Sequence, residues 1–338
     1  MGSISVAMAT LNGAAFIGEQ LKSIARQTRL PRELVICDDG STDDTIAIIQ
    51  KFASTAPFPV RLIQNPERLG YRRNFLKAAS LCTGELISFC DQDDIWKRHR
   101  LRRMSKVFKN PDVLLAFHNA TVVDRRRAPV GHTFKHKTEK AYAPLEMAPW
   151  TIVPGFSQVF RRSLLSYKDL YEHSVDIYCQ NERMPHDQWF LFLASVFGTI
   201  VYVPDRLALY RQHGRNSSGW LASAPLAYAV HSVTHARYYA NAASLAVANR
   251  LSMLTELRRQ RHDLEKVNAA IDHYLAIKRY TELRNRLYTS RSLRSRAYSI
   301  FSLVRDRAYT QPRTRLGLDN FVLDMCVGLP VGPALRNA

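Results

Sequence analysis

Short apolar runs alternate with helical patterns along the first 90 residues of the chain. The runs Ile4–Thr10, 33–37, Val60–Gln64 and Leu86–Cys90 have the length and composition of buried strands. Residues 14–27, between the first two runs, carry their apolar side chains at helical spacing instead. Strands that alternate with helices in this way predict βαβ units, and therefore an α/β fold with a mostly parallel sheet flanked by helices.

The pattern changes further along the chain. Residues 97–108 predict a basic helix whose charges fall on nearly every face, so we expect most of these charges in solvent. Residues 124–140 are polar and basic and predict a surface excursion. After residue 221, helical patterns dominate and predict helices over 224–251, 252–278 and 281–304.

Acidic side chains follow two of the predicted strands at the points where those strands end. Asp38 and Asp39 follow the second strand, and Asp91 and Asp93 follow the fourth. The carboxyl ends of parallel strands meet at one edge of a sheet, where α/β folds place their ligands, so these side chains are expected to share one cleft. Carboxylates so close together would repel one another, which predicts a divalent metal between them and a phosphate-bearing substrate. The alternative for each motif alone is a solvated acidic turn.

Composition and charge narrow the expected partners. The hydrophobic fraction of 46% is enough to fill a core. The net charge of +19 indicates nucleic acid, an anionic membrane surface or anionic substrates as partners. The five cysteines form no C-x-x-C pair, so we expect neither a disulfide framework nor a zinc site, and a reducing cytoplasm fits. We also expect no signal peptide and no membrane-spanning helix, because the long uncharged runs are too short or interrupted.

Four segments together resemble a known family. They are VAMATLNG at 6–13, VICDDGSTDDT at 35–45, NPERLG at 65–70 and CDQDD at 90–94. Their order and spacing, over about residues 3–215, look like the family 2 glycosyltransferases of the GT-A fold. The resemblance implies a GT-A catalytic domain over 1–220, with a nucleotide-sugar half at about 1–110 and an acceptor half at about 111–220. A basic helical region over 221–338 would follow.

The resemblance also implies roles for the residues that match these motifs. The base or ribose of a nucleotide-diphosphate sugar donor would be contacted by Thr10, Asn12, Asp38 and Asp39. Asp91 would contact the ribose or a metal ion, and Asp93 would bind that ion, Mn²⁺ or Mg²⁺, on the diphosphate.

A further carboxylate, Asp187, lies in the segment PHDQWF at 185–190, at the start of an apolar helix. The side chain is either a cap of this helix or a general base, because an inverting sugar transfer needs a carboxylate to deprotonate the acceptor hydroxyl. The segment resembles the E-D or H-D base motif of the family, which assigns the base to Asp187 and leaves His186 to orient it or the acceptor. Further candidates for contact with the donor sugar or the acceptor are Ser157, Gln158 and Trp189.

The segment YRQHGRN at 210–216 resembles a mobile loop that closes over the diphosphate in the family. Arg211 and Arg215 are then candidates for pairing with phosphate, and His213 is a candidate metal ligand. Together with the D-Q-D-D and H-D-Q-W segments, this loop most resembles bacterial rhamnosyltransferases that use dTDP-L-rhamnose. The acceptor would be a cell-surface polysaccharide or a lipid-linked saccharide.

The basic region after residue 221 leaves two interpretations open. It is either a helical appendage that packs on the catalytic domain or a surface that binds an anionic membrane. A lipid-linked acceptor would explain the basic charge without nucleic acid, so we expect a cytoplasmic protein, peripheral on the inner face of the cell membrane.

Two other functions are weighed against sugar transfer. A sugar nucleotidyltransferase would need a glycine-rich loop with Lys or Arg after the first strand, whereas residues 11–16 are LNGAAF. A non-enzymatic basic module that binds nucleic acid or membrane would leave the aspartates at the strand ends without a role.

Overall fold

The computed structural model describes residues 2–176, 179, 181–213, 235–310, 317–331 and 333 of the 338-residue chain. The described residues form two compact units. The first unit draws on Met1–Pro144, Ile152–Asp169 and Met184–Ala222, and the second on Leu145–Thr151, Leu170–Arg183 and Ser223–Ala338. Two short segments that precede residue 220 therefore group with the second unit. The domain limits inferred from the sequence remain a prediction.

The first unit is built on a mixed sheet. Its strands β1 to β10 are Ile4–Thr10, Glu33–Asp38, Val60–Gln64, Leu86–Cys90, Ile95–Trp96, Val113–Val123, Pro129–His132, Lys140–Tyr142, Gln158–Arg161 and Thr199–Arg211. The strand order is β3-β2-β1-β4-β9-β6-β10-β5, with β7 beside β6 and β8 beside β10. The first four strands are parallel, as predicted. The strand β9 is antiparallel to both of its neighbours, β4 and β6.

Five helices flank this sheet in the described part of the first unit. They are α1 Ile17–Ala25, α2 Thr45–Ala53, α3 Gly70–Ser80, α4 Arg100–Val107 and α5 His186–Phe197. The apolar positions of β1, β2 and β4 are buried, as expected for strands of a parallel sheet with both faces covered. The predicted α/β class is confirmed, and the connections β1–α1, β2–α2 and β3–α3 bring three loops to the carboxyl ends of these strands.

Residues 124–140 include a short hairpin that was not predicted from the sequence, although most of the segment is exposed, as expected for a surface excursion. β7 pairs antiparallel with the end of β6, after a turn in which Asp124 Oδ1 accepts hydrogen bonds from the backbone of Arg126 and Ala128. Polar composition concealed this hairpin, since the side chains of Pro129 and Val130 are exposed although their backbone lies in the sheet.

The expectation that the charges of residues 97–108 lie mostly in solvent fails at Arg100, whose side chain is 0% exposed. Its guanidinium donates hydrogen bonds to His118 Nε2 at 2.8 Å, Ser88 Oγ at 2.8 Å and the Phe156 carbonyl at 2.6 Å. It also lies over the Trp96 ring, 3.7 Å from the centroid. Burial lowers the pKa of Arg100 to about 9. This side chain therefore connects α4 to β4, to β6 and to Phe156, two residues before β9.

The second unit is helical, as predicted, but its helix limits differ from those expected. The helices are α6 Ala236–Arg259, α7 Leu264–Thr289, α8 Leu293–Arg305, α9 Gly317–Leu323 and α10 Leu329–Val331, with a π-helical turn at Asp324–Gly328 between the last two. The predicted breaks near residues 252 and 280 are wrong. The chain turns instead at Arg261, where φ is +59°, and α7 starts where Asp263 accepts a hydrogen bond from Lys266 N.

A buried charge organises this unit. The carboxylate of Asp324 accepts hydrogen bonds from Arg284 Nε at 2.9 Å, Tyr288 OH at 2.8 Å and Tyr309 OH at 2.8 Å. Because both charges are buried and each is paired, the cluster fixes the π-helical turn against α7.

The cysteines Cys37, Cys82 and Cys90 are buried and all five cysteines are free. Within the described ranges, we find no helix whose length and apolarity would let it cross a membrane.

We predict that Arg100→Ala lowers the free energy of unfolding by about 3 kcal/mol or more, because it leaves buried acceptors unpaired and opens a cavity. Urea unfolding followed by tryptophan fluorescence measures this change. The control is Arg102→Ala, which removes an exposed arginine from the same helix and is expected to change stability by less than about 0.5 kcal/mol. Equal midpoints for both variants would show that the Arg100 contacts add no stability.

Candidate active site

The register of the parallel strands brings the predicted acids to one edge of the sheet. Thr10 at the end of β1 is paired with Asp38 at the end of β2, and Met8 is paired with Cys90 at the end of β4. Asp38 and Asp91 therefore lie at the same edge of the sheet, as predicted, and the strand order places them on the two sides of β1.

The carboxylate of Asp38 is occupied by hydrogen bonds from other groups of the protein. Its carboxylate accepts hydrogen bonds from Thr10 Oγ1 at 2.7 Å, Gly40 N at 3.1 Å, Ser41 N at 2.8 Å and Ser41 Oγ at 2.6 Å. A carboxylate has about four acceptor positions, so these bonds use its whole capacity. The side chain shapes the turn at Gly40, where φ is +90°.

Asp39 fastens a second loop to the same edge. Its Oδ1 accepts from Asn65 Nδ2 at 3.0 Å and Leu69 N at 2.7 Å, and its Oδ2 accepts from Gly70 N at 2.8 Å. One acceptor position on Oδ2 is therefore left beyond these bonds.

Asn12 shapes the first loop. Its φ is +48°, a left-handed conformation that asparagine tolerates well, and its Oδ1 accepts from Thr42 N at 2.8 Å. Its side chain is exposed at the edge where Asp38 and Asp39 lie. The neighbouring Leu11 is held by Gln92, whose amide bonds both the N–H and the carbonyl of Leu11 at 3.0 Å.

Negative charge concentrates after β4. The pKa of Asp91 is raised by burial and then by the charges of Asp93 and Asp187. The pKa of Asp94 is raised by burial and by the two neighbouring aspartates, although Asp94 accepts a hydrogen bond from Arg211 N at 3.2 Å. Charges that raise each other's pKa in this way favour the binding of a cation.

Arg211, at the end of β10, is buried and faces α1. It donates to Glu19 Oε2 at 2.5 Å and to the Asp93 carbonyl at 3.0 Å, and it lies 4.9 Å from the centroid of the Phe16 ring. The phosphate contact predicted for Arg211 stays a prediction. Arg215 lies outside the described residues.

His213 reaches the acids from the same segment. Its Nε2 lies 2.8 Å from Asp93 Oδ2, and its ring stacks on Phe16 with centroids 4.5 Å apart. The pair fits the expected metal in chemistry, since Mn²⁺ accepts carboxylate oxygen and imidazole nitrogen. Two ligand atoms bound side by side at about 2.1 Å from an ion lie roughly 3 Å apart.

In the described ranges, no three His, Cys, Asp or Glu side chains are arranged to hold a metal ion by themselves. This is compatible with an ion that is held by one or two protein ligands and otherwise by substrate phosphates and water.

Asp187 lies in the first turn of α5, as predicted, and belongs to the same group of acids, because its charge raises the pKa of Asp91. Its Oδ1 accepts from Gln188 N at 2.8 Å and its Oδ2 from Gly155 N at 3.1 Å. Burial raises the pKa of Asp187 to about 6, even though these hydrogen bonds lower it. A carboxylate with such a pKa is ionised at neutral pH and is a better proton acceptor than an exposed aspartate.

His186 is enclosed by aromatic rings. It stacks on Phe75 with centroids 4.0 Å apart and meets the edge of Phe89 at 4.7 Å. Burial, and then the charge of Arg72, lower the pKa of His186 to about 3, so its ring is neutral at pH 7. Both ring nitrogens are buried without a hydrogen-bond partner.

Of the remaining candidates, Gln158 is hydrogen-bonded to the backbone of Asp187, and Ser157 is bonded to the loop that precedes β9. Gln158 Nε2 donates to the carbonyls of Val153 at 2.9 Å and Asp187 at 3.2 Å, and Ser157 Oγ donates to the Pro154 carbonyl at 2.7 Å. Trp189 lies in the core, 1% exposed. The sugar contacts predicted for Ser157, Gln158 and Trp189 stay predictions.

Several residues of the site were missed in the sequence. Gly155, Phe16 and Glu19 contact Asp187, His213 and Arg211, respectively. Gln92, between the two aspartates of D-Q-D, was quoted in the motif but given no role. Gln92 and Gly155 had a local signal, because Gln92 lies within the D-Q-D motif and Gly155 lies in the same segment as the candidates Ser157 and Gln158. The contacts of Phe16 and Glu19 join segments far apart in the chain.

Comparisons with known proteins identify the family of the chain. The family model described as glycosyl transferase family 2 matches residues 5–167. The dTDP-rhamnosyl transferase RfbG of Shigella flexneri is 30% identical over 224 residues, which are 63% of this chain and 73% of that protein. The alignment with the uncharacterized glycosyltransferase alr2836 of Nostoc sp. covers 68% of that protein, and the alignment with the uncharacterized protein Mb1547 of Mycobacterium bovis covers 59%.

Two solved structures share the fold at 18% identity. TarS 1–349 of S. aureus in complex with UDP-GlcNAc has a TM-score of 0.57, with 96% of this chain and 90% of that chain covered. The mannosyltransferase PcManGT of Pyrobaculum calidifontis, in complex with GDP-Man and Mn²⁺, has a TM-score of 0.50, with 99% and 84% covered. The chain therefore belongs to glycosyl transferase family 2 and is a glycosyltransferase that uses a nucleotide sugar.

Proposed function

We propose that this glycosyltransferase is an inverting, metal-dependent enzyme that moves L-rhamnose from dTDP-L-rhamnose to a hydroxyl of a cell-surface polysaccharide or lipid-linked saccharide. The observation that carries the proposal is the position of Asp187. Its carboxylate is oriented by the N–H groups of Gly155 and Gln188, and its charge acts on Asp91. A carboxylate that is oriented by two backbone N–H groups and has a raised pKa is suited to deprotonate the acceptor hydroxyl, as transfer with inversion requires.

In this proposal the nucleotide lies over the carboxyl ends of β1, β2 and β4. Asn12, which is exposed, and the remaining acceptor of Asp39 contact the base or ribose, while Thr10 and Asp38 hold the turn that shapes this surface. Asp91 faces the ribose or the metal. Arg211 and Arg215 are the residues proposed to pair with the diphosphate.

The divalent ion, Mn²⁺ or Mg²⁺, would be held by Asp93 and His213, with Asp91 beside it. Such an ion supplies charge that offsets the negative charge developing on the departing diphosphate. Phe16 keeps the ring of His213 in place through its stacking contact.

Asp187 acts on the acceptor. As the acceptor oxygen forms its bond to C1, the bond between C1 and the diphosphate oxygen breaks on the opposite face of the sugar. The hydroxyl proton passes to Asp187, and the electron pair leaves with dTDP. The ring of His186 is neutral and neither of its nitrogens is hydrogen-bonded within the protein, so in this proposal it orients the acceptor by hydrogen bonding, and the base only through packing.

Support for the donor comes from the rhamnosyl relative, which is named for dTDP-linked rhamnose. Support for a lipid-linked acceptor comes from the net charge of +19. We place the enzyme in the cytoplasm, at the inner face of the cell membrane.

The alternative of a sugar nucleotidyltransferase lacks support in the first loop. Residues 11–16 contain no Lys or Arg, and hydrogen bonds to Gln92, Ser41 and Thr45 engage the N–H groups of Leu11, Asn12 and Gly13. Membership of the transferase family excludes a non-enzymatic module.

We predict that Asp187→Asn keeps donor affinity but lowers kcat by about 10²–10⁴-fold, the usual contribution of a general base. In the wild type, kcat/KM should rise with pH through about 6, because the protonated carboxyl cannot accept the proton. The control Asp169→Asn changes an exposed aspartate of the first unit and should retain both the rate and the profile. Wild-type turnover by Asp187→Asn would contradict the assignment.

We predict that Gly155→Ala lowers kcat about tenfold or more without changing donor affinity, since small displacements of a base are costly. A Cβ at Gly155 would lie 2.6 Å from His186 Nε2 and 3.4 Å from the Cβ of Asp187. Steady-state kinetics separate kcat from KM. The control Gly18→Ala should be neutral, since its Cβ would lie 3.9 Å from Ile48 Cγ2. Combining Gly155→Ala with His186→Ala should cost less than the product of the two single effects, and full independence would argue against the clash.

We predict that dTDP-L-rhamnose with Mn²⁺ raises the melting temperature more than UDP-GlcNAc or GDP-mannose does, because binding to the native state stabilises it. The rise should require the metal and disappear in Asp93→Ala. Asp272→Ala, which removes an exposed aspartate from α7, should respond as the wild type. A metal-independent rise, or the largest rise with another donor, would refute the metal or the donor assignment.

A further inference from the structure

The helix α8 has apolar side chains on two opposite faces. Its inward face buries Ile300 and Leu303 against the second unit. Its outward face carries large apolar side chains that are 49% to 63% exposed, at Leu293, Tyr298, Phe301 and Val304. A surface helix normally turns only one apolar face to the core.

The exposed apolar residues form one continuous surface. At 100° per residue, Leu293, Val304, Phe301 and Tyr298 fall within an arc of about 140°. The small exposed residue Ala297 lies within the same arc. We call these five residues the α8 surface. A contiguous exposed apolar patch on a protein surface indicates a site of contact with another molecule.

Positive charge surrounds the α8 surface. The helix and the residues that flank it contain the exposed arginines Arg291, Arg294, Arg305 and Arg307. Asp306 is the acidic residue between positions 290 and 310, and it is paired with Arg279 at 2.8 Å and Arg305 at 2.8 Å. Its charge is thus already compensated, and the patch as a whole is basic.

We propose that the α8 surface docks on an anionic lipid bilayer, with its apolar residues inserted at the level of the lipid headgroups and its arginines paired with lipid phosphates. The proposal deepens the proposed function, on which it rests, because a lipid-linked acceptor is presented at such a surface. The proposed contact is with the membrane surface, and no helix of the described residues is suited to cross a membrane.

The composition of the surface favours lipid over the other occupants. Tyr298 and Phe301 have rings on which a nucleic-acid base could stack, but Leu293 and Val304 are aliphatic and similarly exposed, and aliphatic side chains gain more from insertion into lipid than from contact with bases. In a symmetric dimer the same patch meets itself, so the arginines of two copies would face each other and repel. An anionic membrane matches both the apolar and the basic side chains.

The test is co-sedimentation with vesicles of phosphatidylcholine, with or without phosphatidylglycerol. We expect binding of the full chain only to vesicles that contain phosphatidylglycerol, and weaker binding at high salt. The variant Tyr298→Ser/Phe301→Ser should bind about tenfold or more weakly, and so should Arg291→Glu/Arg294→Glu. The control Leu30→Ser, an exposed apolar residue of the first unit, should bind as the wild type.

A second measurement separates this inference from the proposed function. The melting-temperature rise with dTDP-L-rhamnose and Mn²⁺ in solution should be the same in the α8 variants and in the wild type, which also verifies folding. If one double variant fails to fold, the single change Arg294→Glu, at an exposed position, gives the same comparison.

Three results would overturn the inference. They are equal sedimentation of wild type and variants, no sedimentation of the wild type, and a change of oligomeric state in the α8 variants as seen by light scattering. The last result would assign the surface to a second copy of the chain. Retention of an oligonucleotide that depends on the α8 surface, without vesicle binding, would assign it to nucleic acid.

Discussion

The cost of holding several carboxylates together at one edge of the sheet is the constraint on which the site depends. Burial raises the pKa of Asp91, and the negative charges of Asp93 and Asp187 raise it further. The arginine that enters from β10, Arg211, is paired with Glu19 through its guanidinium, and the charge of Arg100 acts from the core on Asp94. In the proposed function, a divalent ion brought by a diphosphate would offset this imbalance.

The acids can be gathered in this way because most of the surrounding polar groups are already satisfied. Asp38 and Asp39 bind the turns after β2 and β3, Gln92 binds Leu11, and Gly155 presents its N–H to Asp187. Each of these bonds fixes a loop that regular secondary structure does not fix. The sheet supplies the edge, and the side chains that look like ligands in the sequence partly serve to hold the loops in place.

The sequence was a good guide where a residue's position follows from periodicity and a poor one where it follows from long-range contact. Alternating strands and helices placed Asp38, Asp91 and Asp187 correctly at strand ends and at a helix start. No local pattern distinguishes the buried Arg100 from the exposed arginines of the same helix. Nor does any local pattern show that the carboxylate oxygens of Asp38 accept all their hydrogen bonds from groups of the protein. The helix limits after residue 235 were misplaced because the turn at Arg261 has neither proline nor glycine. The contacts of the nucleotide sugar with this site remain predictions.

The most direct measurement is anomalous diffraction at the manganese edge from crystals grown with Mn²⁺ and dTDP. The account predicts one strong peak within about 2.5 Å of an Asp93 carboxylate oxygen and of His213 Nε2, completed by diphosphate oxygens. The carboxylate of Asp187 should face the space that the donor sugar and the acceptor would occupy, and it should not coordinate the manganese ion. A peak that lies away from Asp93, or one that includes Asp187 among its ligands, would contradict the separation of metal site and base.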